Sequence, residues 1–282
     1  MTFHQWIFSE SSVNPEIDGA WGPAHIITLV LCILITIGLS FLRNKDYKTR
    51  LWVIRGLVFG LLFFELTRRG IYIAKGILSK SGDYFAIEHL MWNLLPRPWC
   101  AMSVWCMIIS IIIDKKFFYN FTAISAILNV LIFFAYPAAG FCNKYFQFEN
   151  IYSIVTHSLL FITSISMITL RFTDFKYYDG SLKKSALREL ICFLVILGYT
   201  FLQIYVLKIS TDPMYFRPGN DVQNTLGMSY PLFLFIYIVF LAIFYNAFYI
   251  IQGLKTHTLI FNFRKPLRMY SRRLTRYPRN TK

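Results

Sequence analysis

Charge is scarce in this sequence. Only 15% of its 282 residues are Asp, Glu, Lys or Arg, against about 25% in an ordinary soluble domain. Acid is scarcer than base, with 14 Asp+Glu against 29 Lys+Arg and a net charge of +15. Cysteine is scarce too: there are five, an odd number that excludes a fully paired disulfide scaffold. The first 42 residues contain no Lys or Arg, so no basic region precedes the first apolar run and no cleavable signal peptide is expected. No internal repeat or low-complexity stretch is visible. A Gly-x-x-x-x-Gly-Lys phosphate loop is missing. So is the local His/Cys spacing of a zinc site: His25, Cys100 and His157 form a trio only across the whole chain. Neither a metal nor a cofactor is expected.

Apolar and aromatic residues make up most of the rest. The chain is 56% hydrophobic, with 28 Phe and 18 Tyr, a composition that excludes disorder. The apolar residues fall into seven runs, Ala24–Leu42, Leu51–Ala74, Leu94–Ile113, Phe121–Ala139, Ile151–Leu170, Leu190–Ile209 and Tyr230–Ile251. Each is close to the ~20 residues that cross a hydrocarbon core of ~30 Å. They lack the alternation of barrel strands, and an open sheet cannot satisfy its backbone in lipid. The expected fold is therefore all-α, a polytopic bundle of seven transmembrane helices in the cell membrane. Residues 1–253 would form the membrane domain and 254–282 a basic cytoplasmic tail.

Basic residues orient the bundle, because cytoplasmic loops retain Lys and Arg. Arg43, Lys45, Lys48, Arg50 and Arg55 follow the first run, and Lys115 and Lys116 the third. Arg171, Lys176, Lys183, Lys184 and Arg188 lie between the fifth and sixth, and nine more occupy the tail. The opposite loops hold Lys75, Lys80, Lys144, Lys208 and Arg217. This pattern predicts the N-terminus outside and the C-terminus in the cytoplasm. The net charge then reads as attraction to anionic lipid headgroups, chiefly by the tail, worth about 1 kcal/mol per basic residue near the surface. A nucleic-acid partner is not expected.

Ionisable groups at membrane depth cost about 2.5–3.5 kcal/mol even on lenient scales, so each needs a reason. Glu65 lies inside the second run, with Arg68 and Arg69 at i+3 and i+4, where they reach the same helical face. One reading is a local ion pair that lets the carboxylate insert; the other is a carboxylate that orients a catalytic or binding group. His25, Cys100 and His157 all fall near the outward ends of odd-numbered runs. Counted at ~1.5 Å per residue from Leu94 and Ile151, Cys100 and His157 lie about 9 Å below the outer boundary. Cys100 follows Leu95-Pro96-Arg97-Pro98-Trp99, in the first turn of a Pro-started helix, where the dipole favours a thiolate. Its alternative role is a small apolar filler, and that of His157 is an interhelical hydrogen bond. The loop before the last run, including Tyr215 and Arg217, is either a solvated loop or a lid with Arg217 as an anion contact.

These motifs resemble the YwaF family and its eukaryotic relative, transmembrane protein 164. The shared elements are Trp21-Gly22-Pro23-Ala24-His25 opening the first run, Glu65 in the second, Leu95, Pro96 and Cys100 opening the third, Pro137 ending the fourth, His157 in the fifth, and Met214-Tyr215 with Pro218 before the seventh. Pro98 stands where the family has His, Ala101 where it has Asp and Ser158 where it has Gly. The resemblance implies seven helices and Cys-dependent acyl transfer between phospholipids. Cys100 would be the nucleophile, His157 its base, and Glu65 or His25 an orienting group. Arg68, Arg69 and Arg217 would hold a phosphate headgroup, with Trp99 and Tyr215 lining the lipid site. The alternative is a non-catalytic binder or transporter of a small anionic solute. No second set of charged residues is evident deep in the cytoplasmic half, which counts against transport.

Overall fold

The computed structural model describes residues 21–79, 94–96, 99–135, 141, 147–175, 182–207 and 215–262. Among them every regular element is helical and none is a strand. The helices are α1 (Pro23–Ser40), α2 (Tyr47–Ser79), α3 (Trp99–Ile113), α4 (Lys116–Ala135), α5 (Phe148–Thr169), α6 (Leu182–Phe201), the short α7 (Asp221–Leu226) and α8 (Tyr230–Asn262). A helix coincides with each of the seven apolar runs. Five helical segments are long and apolar enough to cross a membrane: Pro23–Asn44, Lys116–Ala135, Phe148–Thr169, Lys183–Val206 and Tyr230–Gln252. α3 is apolar but only 15 residues long, and α2 is long but carries its charges within the run.

The apolar runs mark where lipid must be met, not where helical hydrogen bonding stops. Hence α6 begins eight residues before Leu190, through Lys183, Lys184 and Arg188, and α8 continues past Ile251. The reverse holds at Leu94. A bend at Leu95 separates it from α3, which starts at Trp99. The depth counted helically from Leu94 therefore does not apply to Cys100, whereas its place in the first turn of α3 does.

The centre of the bundle is α4, 78% of whose span is buried, against 17% for α1 and for α8. Its sequence explains the position. Tyr119, Ala123, Ala126 and Val130 pack with α3 and α5, while Phe121, Ile124 and Leu128 pack with α6 and α8, so little is left for lipid beyond Leu131 and Ile132, each half exposed near its end. α1 is the opposite case. His25, Cys32 and Thr36 share its one buried face, and Ile27, Leu31, Leu34 and Ile37 are about half exposed. In water such a surface would be untenable; in a bilayer it faces acyl chains.

Lipid is as apolar as leucine, so packing and interhelical hydrogen bonds must hold such helices together. α4 supplies them. Asn120 donates to the Tyr249 hydroxyl of α8 at 3.1 Å, Ser125 shares a hydrogen bond with the Tyr245 hydroxyl at 2.6 Å, and Asn129 bonds to α3. Short links align neighbours. Asp114, in the left-handed region (φ 49°), turns α3 into α4, its carboxylate accepting from the Tyr119 hydroxyl at 2.8 Å. Asp46 caps α2, accepting from the Thr49 amide at 3.0 Å and its hydroxyl at 2.6 Å.

Candidate functional site

The C-terminal half of α4 gathers three of the chemistry-bearing side chains. Cys100, in the first turn of α3, donates its thiol to Asn129 Oδ1 with sulfur 3.6 Å away. The same amide donates to Ser103 Oγ at 2.5 Å and to the Trp99 carbonyl at 3.2 Å. One turn further along α4, Phe133 stacks on the His157 imidazole of α5, the centroids 3.8 Å apart and the planes 6° from parallel. Phe134 next to it stacks on His25 at 5.9 Å, and Phe141 lies 5.0 Å from His25 and 6.0 Å from Phe133. Both imidazoles thus pack on one aromatic cluster, and Cys100 sits one helical turn away from it. Positions i and i+4 stand roughly 6 Å apart on a helix surface. Among the described residues no hydrogen bond joins the thiol to either imidazole.

His157 takes its orientation from its own helix. Its Nδ1 lies 2.7 Å from the Ser153 carbonyl, a group that only accepts. The ring therefore carries its hydrogen on Nδ1 and its basic lone pair on Nε2. Glu65 does not hold this ring: it accepts from the Tyr152 hydroxyl, which lies five residues before His157 on α5. His25 is fully buried and its Nδ1 accepts from the Trp21 amide at 3.1 Å. Of the two expected orienting groups, neither meets His157 through a hydrogen bond.

Glu65 instead anchors an ionic cluster between α2 and α5. Its carboxylate, fully buried, pairs with Arg69. Arg69 also donates to the Leu94 carbonyl at 2.8 Å and lies over the Trp105 ring at 5.3 Å. This ties α2 to the segment leading into α3. Arg68 lies over the rings of Tyr72 and Tyr152, at 4.9 and 5.3 Å. Tyr72 donates to Glu149, which Lys75 approaches at 3.9 Å. The cluster holds three cations and two anions, a surplus of one positive charge.

The remaining expected residues lie elsewhere. Trp99 packs toward Phe193 of α6, with centroids 6.3 Å apart. Nearby, Gln203, in a π-helical turn that ends α6, donates to the Pro96 carbonyl at 2.9 Å. Tyr215 and Arg217 flank Phe216, whose ring meets Phe193 of α6 and Tyr237 of α8. Asn220 holds that loop by donating to the carbonyls of Tyr215 and Arg217. The described contacts thus put this loop on α6 and α8 and the Glu65 cluster on α2 and α5. Arg97, Pro98, Pro137, Cys142, Met214 and the basic tail from residue 263 lie outside the described residues.

No family model, curated protein or solved structure matches this chain. The likeness to the YwaF family therefore stands on the short motifs alone.

Several site residues escape sequence reasoning. Asn129 links Cys100 to the bundle centre; its signal was an amide inside an apolar run. Tyr152 and Ser153 were hidden as ordinary members of a membrane helix. Glu189, one residue before the assumed start of the sixth run, is only 5% exposed. It accepts from Tyr249, which in turn accepts from Asn120. Asn120 lies nine residues before Asn129, about 13 Å along α4. Glu189, and Asp174 beside Asn120, thus belong to one hydrogen-bonded network toward the N-terminal end of α4.

Proposed function

We propose that the chain is a seven-span protein of the cell membrane, N-terminus outside, that transfers acyl groups between phospholipids through Cys100. One observation supports the chemistry: α4 carries the thiol's partner and the imidazole's partner on adjacent turns, with the basic nitrogen of His157 left as Nε2. In this reading His157 swings off Phe133 when lipid enters, and Nε2 takes the Cys100 proton. The thiolate adds to an ester carbonyl of the donor lipid. The C–O bond breaks, the lysolipid oxygen takes the proton back from His157, and a thioester remains. A second lysolipid hydroxyl, deprotonated by Nε2, attacks the thioester and restores the thiol. Asn129 binds the resting thiol and is a positioning residue. Arg68, which neighbours tyrosine rings while Arg69 pairs with Glu65, is the headgroup contact.

The test is acyl transfer by purified protein in lipid, with mass spectrometry of the Cys100 peptide. An acyl adduct on Cys100, with transfer abolished in Cys100→Ala and strongly reduced in His157→Ala, is the expected result. Wild-type transfer by Cys100→Ala refutes the mechanism. A reporter fused to the C-terminus tests the orientation and is expected to be active only on the cytoplasmic side.

A second reading, a non-catalytic binder of anionic amphiphiles, has its own support. The thiol, the Nδ1 hydrogen and the Glu65 carboxylate are all engaged within the protein. Equal retention of a phospholipid by wild type and Cys100→Ala, with no turnover in either, is its signature.

A further inference from the structure

Two glutamates are buried among the membrane helices, and their surroundings differ in kind. Glu65 meets a guanidinium, that of Arg69, and a phenol, that of Tyr152. Among the described residues, Glu189 of α6 meets a phenol only. Its Oε1 accepts from Tyr249 of α8, its Oε2 is buried with no hydrogen-bond partner, and no cation lies within 4 Å of it among the described residues. Among the described residues, Tyr245 of α8 and Cys192 one turn along α6 interact electrostatically with Glu189, with Cys106 of α3 beside them. All three are neutral when protonated and supply no positive charge. Arg188, adjacent in sequence, directs its guanidinium toward the Phe117 ring at 6.0 Å.

An ionised carboxylate in such a place pays the desolvation cost of a full charge with one hydrogen bond in return, and a buried group so placed neutralises instead. The carboxylic acid form costs far less to bury, because it carries no net charge. We propose that Glu189 is a proton-binding site of this protein, occupied at neutral pH, whereas Glu65 is paired with Arg69.

The site is tethered to the bundle surface. Tyr249 accepts from Asn120, which also donates to Asp174 at 3.3 Å, and Lys116 approaches Asp174 at 3.9 Å with its side chain 66% exposed. This is the end of the bundle that the proposed orientation makes cytoplasmic. Any motion that parts α6 from α8 there would expose Glu189 and release its proton to that side. The inference does not depend on acyl transfer at Cys100, which lies near the other end of α4.

The test uses full-length protein in lipid nanodiscs and a hydrophobic carbodiimide. That reagent needs a protonated carboxyl, whose proton moves to the carbodiimide nitrogen as the carboxyl oxygen bonds to its carbon. Peptide mass spectrometry is expected to find the adduct on Glu189 and not on Glu65 at pH 7, with labelling declining in more alkaline buffer. Infrared spectra are expected to show a protonated-carboxyl band that Glu189→Gln removes and Glu65→Gln leaves. The labelling arm needs no variant, so misfolding of Glu189→Gln does not compromise it. An unlabelled Glu189 at pH 7, or a carboxyl band unchanged in a folded Glu189→Gln protein, overturns the proposal.

Discussion

Replacing Asn129 by Ala tests whether polar contacts from the central helix hold the bundle together. The Asn129 amide makes three hydrogen bonds to α3, accepting from Cys100 Sγ and donating to Ser103 Oγ and the Trp99 carbonyl. The amide has two hydrogens, so its 3.1 Å approach to the Ser125 carbonyl within α4 shares one of them and is not counted separately. Interhelical hydrogen bonds in membrane proteins average about 0.6 kcal/mol each. Three of them put the loss at about 2 kcal/mol, or roughly a 30-fold fall in the folded-to-unfolded ratio. Asn246 provides the matched control. It is the same residue type within a membrane-length helix, yet among the described residues its amide donates only to the Ala242 carbonyl of its own helix, at 2.7 Å. Asn246→Ala is expected to cost less than about 0.5 kcal/mol, since no interhelical bond is lost. Reversible unfolding in mixed micelles, followed by far-ultraviolet circular dichroism, measures both. Equal stabilities for the two variants would refute the assignment of α4 as the polar centre of the bundle.

Three further outcomes follow from other contacts. Arg69→Ala strands the buried Glu65 carboxylate, and the same unfolding assay should show a loss of about 3–5 kcal/mol, while Glu65→Leu/Arg69→Met together cost less; a smaller loss in the single variant contradicts the ion pair. Asp46 lies outside the membrane-length helices, and its hydrogen bonds with the Thr49 hydroxyl and amide hold its carboxyl below the usual range. Its contribution is therefore present above the ordinary aspartate value of about 3.9 and lost as pH falls through the lower folded value; Asp46→Asn should flatten stability against pH in that acid window. Leu34, 58% exposed on α1, should face acyl chains, so Leu34→Arg is expected to raise the insertion free energy by about 2.5–3.5 kcal/mol in a glycosylation-mapping assay.

The helical class and the positions of the runs were legible because lipid leaves the backbone few options. A run of apolar residues without alternation can only be a helix, and a helix coincides with every predicted run. The ends were less legible. α6 begins at Leu182 and α2 extends to Ser79 because Lys, Arg and Ser continue a helix through the headgroup region as readily as leucine does. The Glu65–Arg69 pair was legible from i,i+4 spacing alone, as a local helical relation. That Tyr152 completes it was not, since a hydroxyl 87 residues away carries no local signal.

The candidate site divides in the same way. Sequence order and the charge pattern could place Cys100, His157 and His25 near one end of the bundle, because depth follows from position along a spanning helix. Facing is another matter. It depends on how each helix is rotated about its own axis, and rotation is set by side chains from several helices at once. Only the packed bundle shows that Cys100 turns to Asn129, that His157 turns to Ser153 and Phe133, and that among the described residues Glu65 has a cation within 4 Å while Glu189 has none. The linear chain thus determined a helical molecule suited to lipid and the candidates for its chemistry. Tertiary packing decided which of those groups meet, because hydrogen bonds of a few ångströms are sensitive to helix rotation in a way that hydropathy is not.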